Sequence, residues 1–295
     1  MKTLLQISLL IAIPTILFGQ NNQTEFQKCW ENNDTTCQTK ILMKWEKANP
    51  NDPELFTAYF KYHFMKARRE VLALSKEDAN GAGLELRDDT DQAAGFLGSQ
   101  THYDLLEFKK GIDKINEGIN KYPNRLDMRF GKIYALGEIE DWENFTREII
   151  TAVRYSSKNK NQWTWMNNEE QGKDFFLSSI QSYQIQLFDT EDDSLLLNMR
   201  KIASTILEYY PEHIESLSNL SITHLLLGEI DEGLKPLLKA EKINPEDHVI
   251  LTNIAHGYVL KGNKDKAIEY YEKIIKIGNE QVSAFAQQQI KELKK

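Results

Sequence analysis

The stretch Leu251-Thr-Asn-Ile-Ala-His-Gly-Tyr258, followed by Gly262 and then Ala267-Ile-Glu-Tyr-Tyr271, decides the fold of this chain. Its large apolar residues recur at steps of three and four, the spacing of one helical face, and Gly262 breaks the pattern between two such faces. The same pattern stands 34 residues earlier. Laying Ile214–Asp247 over His248–Gln281 matches Leu217 with Leu251, Leu220 with Ile254, Ser221 with Ala255 and His224 with Tyr258. Past the break, Gly228 falls on Gly262, Gly233 on Ala267, Leu237 on Tyr271, Ala240 on Ile274 and Pro245 on Asn279. A period of this length marks a repeat array, in which each helix pair needs its neighbours to bury its apolar face.

The matched segment resembles the tetratricopeptide repeat family, whose unit is a 34-residue antiparallel helix pair with small residues where helices cross and large ones between pairs. Ala255 and Ala267 fit the crossings, and Tyr258 and Tyr271 fit the spaces. The resemblance implies an all-α, right-handed helical solenoid. It is clear over 214–281 and degenerate over 104–213, where Ala203, Ile206 and Pro211 fit a second helix and Phe130-Gly131, Tyr134 and Gly137 fit a first. It also implies that first helices line a concave groove, with Asn219, Ile222, Asn253 and His256 facing it and Ser218 and Thr252 beside them. An asparagine amide both donates and accepts, which suits the backbone of an extended peptide. The implied partner is therefore a protein or peptide.

Helical stripes extend beyond the repeats. Leu105, Phe108, Ile112, Ile115 and Ile119 share one face, as do Leu195, Met199, Ile202, Ile206 and Tyr210. Prolines at 50, 123, 211 and 245 end one helix and free the chain to turn. Residues 282–295 carry a last stripe, Val282, Phe285, Ala286, Ile290 and Leu293, which predicts a capping helix closing the stack. Residues 21–103 read as an N-terminal helical region interrupted at about 75–100 by an irregular segment. That segment holds Gly81, Gly83, Gly95 and Gly98 with Asp78, Asp88, Asp89 and Asp91. Its length fits a disordered stretch, a partly ordered flap, or short helical turns.

At the start, Lys2 precedes an apolar run from Leu4 to Phe18 and then Gly19-Gln20-Asn21-Asn22, the layout of a secretory signal peptide over 1–20. The run is short for a membrane span, which needs about 20 residues, and an uncleaved anchor is the alternative. The reading predicts an exported protein, periplasmic or at the cell surface, with no integral membrane segment once the leader is removed. Of the chain's 36 basic residues only Lys2 lies in the leader, which leaves 35 against 44 acidic ones. That balance argues against a nucleic-acid partner, which needs clustered Lys and Arg. Cys29 and Cys37, close in sequence across a polar turn, read as a disulfide in an oxidising compartment. A redox pair would have two residues between, and zinc would need two further ligands.

Other residue sets carry little chemistry. Gly81-Ala82-Gly83 lacks the third glycine and the preceding strand of a dinucleotide loop, and Asp88, Asp89 and Asp91 miss the alternation of a calcium loop. No two of the six histidines stand three or four residues apart. No nucleophile or acid–base motif is recognisable, so the expectation is a binding protein with no enzymatic role, no cofactor and no metal. Trp163 and Trp165 are expected either to plug a gap between helices or to form an aromatic platform. The platform would serve a cell-envelope glycan-binding module, the alternative to a scaffold or adaptor.

Overall fold

The computed structural model describes residues 15–76 and 84–295; the core of the leader and the Gly81–Gly83 motif lie outside the described residues. Thirteen α-helices dominate it, so the all-α, helical-repeat architecture holds for most of the chain. The chain forms two compact units. Unit 1 holds the described residues up to 135 together with 164–169, and unit 2 holds 136–163 and 170–295.

Unit 1 begins with α1 (Thr15–Glu31), α2 (Thr35–Ala48) and α3 (Pro53–Ala67). Cys29 of α1 and Cys37 of α2 are joined in a disulfide, the pairing read from the sequence. Asp52 starts α3 by accepting from the backbone N–H of Glu54, while its other oxygen accepts from the indole of Trp45, a fully buried ring. After three strands come α4 (Leu105–Lys121) and α5 (Leu126–Glu138). Gly118 of α4 lets α3 approach closely, since a Cβ there would stand 2.8 Å from that of Phe56. Near the N-terminus of α5, the buried Arg125 pairs with Glu54 at 2.9 Å and Asp127 at 2.7 Å. Burial of a guanidinium requires such neutralisation. The segment 164–169 returns to this place: the N–H of Thr164 donates to the carbonyl of Asn124, and that of Asn167 to a carboxylate oxygen of Glu54.

The strands correct the expectation of an irregular segment at 75–100. β1 (Arg68–Ser75), β2 (Leu84–Arg87) and β3 (Ala93–Tyr103) form an antiparallel sheet in the order β1-β3-β2, with Arg68 opposite Tyr103 and Leu84 opposite Leu97. The glycines and aspartates have local reasons. Gly95 lies where a Cβ would stand 3.0 Å from the carbonyl oxygen of Ser75, and Asp88 accepts from the N–H groups of Thr90 and Gln92 to turn the chain between β2 and β3. The register places Leu72, Leu74, Leu84, Leu86 and Leu97 on one face. Leu72, Leu74 and Leu84 are 76%, 70% and 65% exposed.

Unit 2 continues with α6 (Trp142–Lys158), α7 (Lys173–Phe188), α8 (Leu196–Tyr209), α9 (Ile214–Leu226) and α10 (Ile230–Ile243). It ends with α11 (His248–Leu260), α12 (Lys264–Ile277) and α13 (Glu280–Leu293). The turns α9–α10 and α11–α12 each hold a glycine at φ 77°, Gly228 and Gly262, in the left-handed region that a Cβ disfavours. The 34-residue frame thus reproduces a backbone conformation as well as an apolar pattern. Leu217, Leu237, Leu251, Ile254, Ala267 and Tyr271 lie in one continuous core. Ala286 of α13 is buried there, and Val282, Ile290 and Leu293 pack against it. Phe285 departs from the expected docking stripe: it is largely exposed, though its edge meets the ring of Tyr271.

Candidate functional site: the first-helix face of unit 2

The helices α7, α9 and α11 each carry a stripe at steps of four, three and four residues, in which Leu177, Gln184 and Asn219 are buried. On α11 it is Val249, Asn253, His256 and Leu260; on α9, Glu215, Asn219, Ile222 and Leu226; on α7, Leu177, Gln181, Gln184 and Phe188. The stripes superpose at offsets of 34 and 38 residues. Each ends on the last residue of its helix, and those three residues, Phe188, Leu226 and Leu260, are apolar and exposed.

The two asparagines expected in a groove differ. Asn219 is 7% exposed and locked to Gln181: its Nδ2 donates to Gln181 Oε1 at 2.6 Å, and Gln181 Nε2 donates back to its Oδ1 at 3.4 Å. This reciprocal pair uses much of the amide's capacity, leaving little for a ligand. Asn253 is half-buried, and its amide has no hydrogen-bond partner among the described residues. His256 beside it is exposed, and Ile222 is half-buried. The sequence reading did not find Gln181, because α7 belongs to a degenerate repeat displaced by four residues from the 34-residue frame.

A cleft of about 810 Å³ opens next to the Gln181–Asn219 pair. One side is the N-terminal half of α7, from Lys173 to Gln181; the other is the turn Tyr209–His213, continued by Glu215 and by Ile243 at the end of α10. The turn is fixed by Tyr210, whose hydroxyl donates to Asn161 Oδ1 at 2.6 Å and lies 2.6 Å from Ser156 Oγ. His213 Nδ1 lies 2.8 Å from Ser216 Oγ, and its Nε2 lies 3.2 Å from Glu215. Burial pushes the His213 imidazole below the ordinary histidine range, against the pull of Glu215 in the other direction. At neutral pH this ring therefore adds little positive charge to the cleft. The formal charges on its wall are Lys173 against Asp174, Glu212 and Glu215.

Of the two tryptophans expected to plug a gap or form an aromatic platform, Trp163 does not offer a platform. Trp163 is 1% exposed, stacked on Phe176 at 5.1 Å and against Tyr155 at 5.7 Å within unit 2, so it plugs a gap and offers no ring face to a sugar. Trp165, in unit 1, is half-buried with Phe130 against it at 6.2 Å.

Residues 249–278 match the tetratricopeptide repeat family. A TPR repeat-containing protein of Methanocaldococcus jannaschii is 24% identical over 198 residues, which are 59% of this chain and 34% of that protein; the chain thus spans about a third of its relative's length. Among solved structures, YrrB, described as a TPR protein with an unusual peptide-binding site, aligns at 12% identity and a TM-score of 0.41, covering 84% of this chain and 97% of its own. A tetratricopeptide repeat protein from Parabacteroides merdae aligns at 9% identity and a TM-score of 0.37, covering 92% and 85%.

Proposed function

We propose that this chain, a tetratricopeptide-repeat protein, is an exported scaffold that holds an extended peptide segment of a partner protein on the first-helix face of unit 2. The observation that carries this reading is the open stripe on α11. Val249 and Leu260 expose apolar surface at its two ends, and Asn253 between them has a donor and an acceptor to spare. A strand-like peptide displays that combination, backbone amides flanked by side chains, at every second residue. Export is supported by the apolar leader in the sequence and by the Cys29–Cys37 bond, since disulfides persist in oxidising compartments.

The test is selection of random 12-residue peptides displayed on phage against the full chain. Selected peptides should lose about tenfold in affinity, roughly 1.4 kcal/mol, when Asn253 is replaced by alanine. They should keep it when the exposed Lys239 on α10 is replaced instead. A library that yields no binder, or binders indifferent to Asn253→Ala, would remove the proposal.

A further inference from the structure

The geometry points to a second recognition element on the same face: we infer that the cleft between α7 and the α8–α9 turn accepts a lysine or arginine side chain of the bound peptide. This rests on the peptide-binding reading and adds its charge preference. The argument starts from the cavity. At about 810 Å³ it exceeds any one side chain, so it can take a long residue together with its flanking backbone. Leu177 supplies apolar floor, and Tyr209 and Ile243 supply partly exposed apolar walls. Such a surface suits the methylene stem of Lys or Arg, which covers apolar area while its charged head stays near water.

The head would meet carboxylates at the rim. Asp174, Glu212 and Glu215 face the cleft against the single ammonium of Lys173, so the wall carries a net formal charge of −2. Lys173 is partly engaged, with Nζ 4.0 Å from Asp174. Glu215 meets the cleft from the same α9 stripe that ends in the exposed Leu226, so a chain running along the first helices towards Asn253 would pass it. An acidic or phosphorylated segment would find two excess carboxylates there, and a wholly apolar one would leave them desolvated without a partner.

The test titrates the full chain with two fluorescein-labelled ten-residue peptides, identical except that four lysines in one are glutamates in the other. The lysine peptide should bind at least tenfold more tightly at low salt. The advantage should fall to less than threefold in Glu212→Gln/Glu215→Gln, and should survive in the equally charge-altered control Glu143→Gln/Glu280→Gln, both exposed positions. Equal binding of the two peptides, binding of neither, or an advantage that persists in the Glu212/Glu215 variant would each overturn the inference. Phage-selected peptides that depend on Asn253 but show no basic preference would overturn it alone and leave the peptide-binding reading standing.

Discussion

The two clear repeats, 214–247 and 248–281, share a frame and solve it with different side chains. Where the second has Tyr258 stacked on Tyr270 at 5.7 Å, the first has His224 and Pro236. With no ring partner, His224 turns to Glu229, which also holds Arg200 of α8 at 2.9 Å. The first sets Leu225 against Gly233, where a Cβ would lie 2.7 Å from a Leu225 methyl; the second has Val259 and Ala267 at the matched positions. The methylene gained on one helix is removed from the other. At the start of the second helix, Asn263 caps α12 by accepting from the N–H of Lys266, whereas Glu229 makes no side-chain cap on α10. The repeat therefore conserves volume and backbone turn, and leaves individual contacts to local compensation.

Three experiments would break or sharpen this comparison. The largest effect is expected at the end of the stack, where α13 covers the second repeat as α11 covers the first. Ending the chain after Gly278 would uncover the apolar side against which Val282, Ala286, Ile290 and Leu293 pack. The expected loss is on the order of 3–5 kcal/mol at about 25 cal/mol per Å² of apolar area, read as a lower unfolding temperature and increased light scattering. A truncated chain as soluble and heat-resistant as the parent would show that α13 closes nothing.

Next, Gly233→Ala should destabilise unit 2 by about 1–2 kcal/mol through overpacking against Leu225, even though alanine is the better helix former. Adding Leu225→Val recreates the pair used by the second repeat and should recover most of the loss. Urea unfolding of the four chains gives the coupling directly, expected at about 1 kcal/mol or more. Additive effects would mean that the two positions do not compensate each other.

The smallest contrast is at the helix starts. Asn263→Ala should cost about 1 kcal/mol through the lost cap. Glu229→Ala should cost less than Asn263→Ala, since its carboxylate lies at the surface and caps no helix. Equal losses in chemical denaturation would argue against the different roles assigned to these matched positions.

The repeats were legible because their signals are chemical and periodic: glycine at a left-handed turn, small residues at crossings, apolar residues three and four apart. The sheet was not, and the reason is visible in its leucines. A strand shows itself in sequence when one side faces a core, yet here Leu72, Leu74 and Leu84 face outward and β1 is almost wholly exposed. Val71 and Ala73 are apolar on the opposite side, so no clean alternation remains. In the candidate site, the amides were legible as residues and their pairing was not. Asn219 and Asn253 look equivalent at a spacing of 34, but only Asn219 has Gln181 behind it, from a helix whose offset of 38 hides the match. The aromatic residues at 163 and 165 had two readings, and burial of Trp163 favours the plug at that position alone.

The return of 164–169 to unit 1 bears on how the protein is made. During translation, Asn124 and Glu54 are synthesised well before the N–H donors of Thr164 and Asn167 that complete them, and residues 136–163, which belong to unit 2, must emerge in between. At about 5–20 residues per second the wait is on the order of seconds. During that interval the nascent unit lacks its last stitch. For the same reason no single cut in the chain separates the two units: any genetic dissection at 135 takes away six residues that the first half needs.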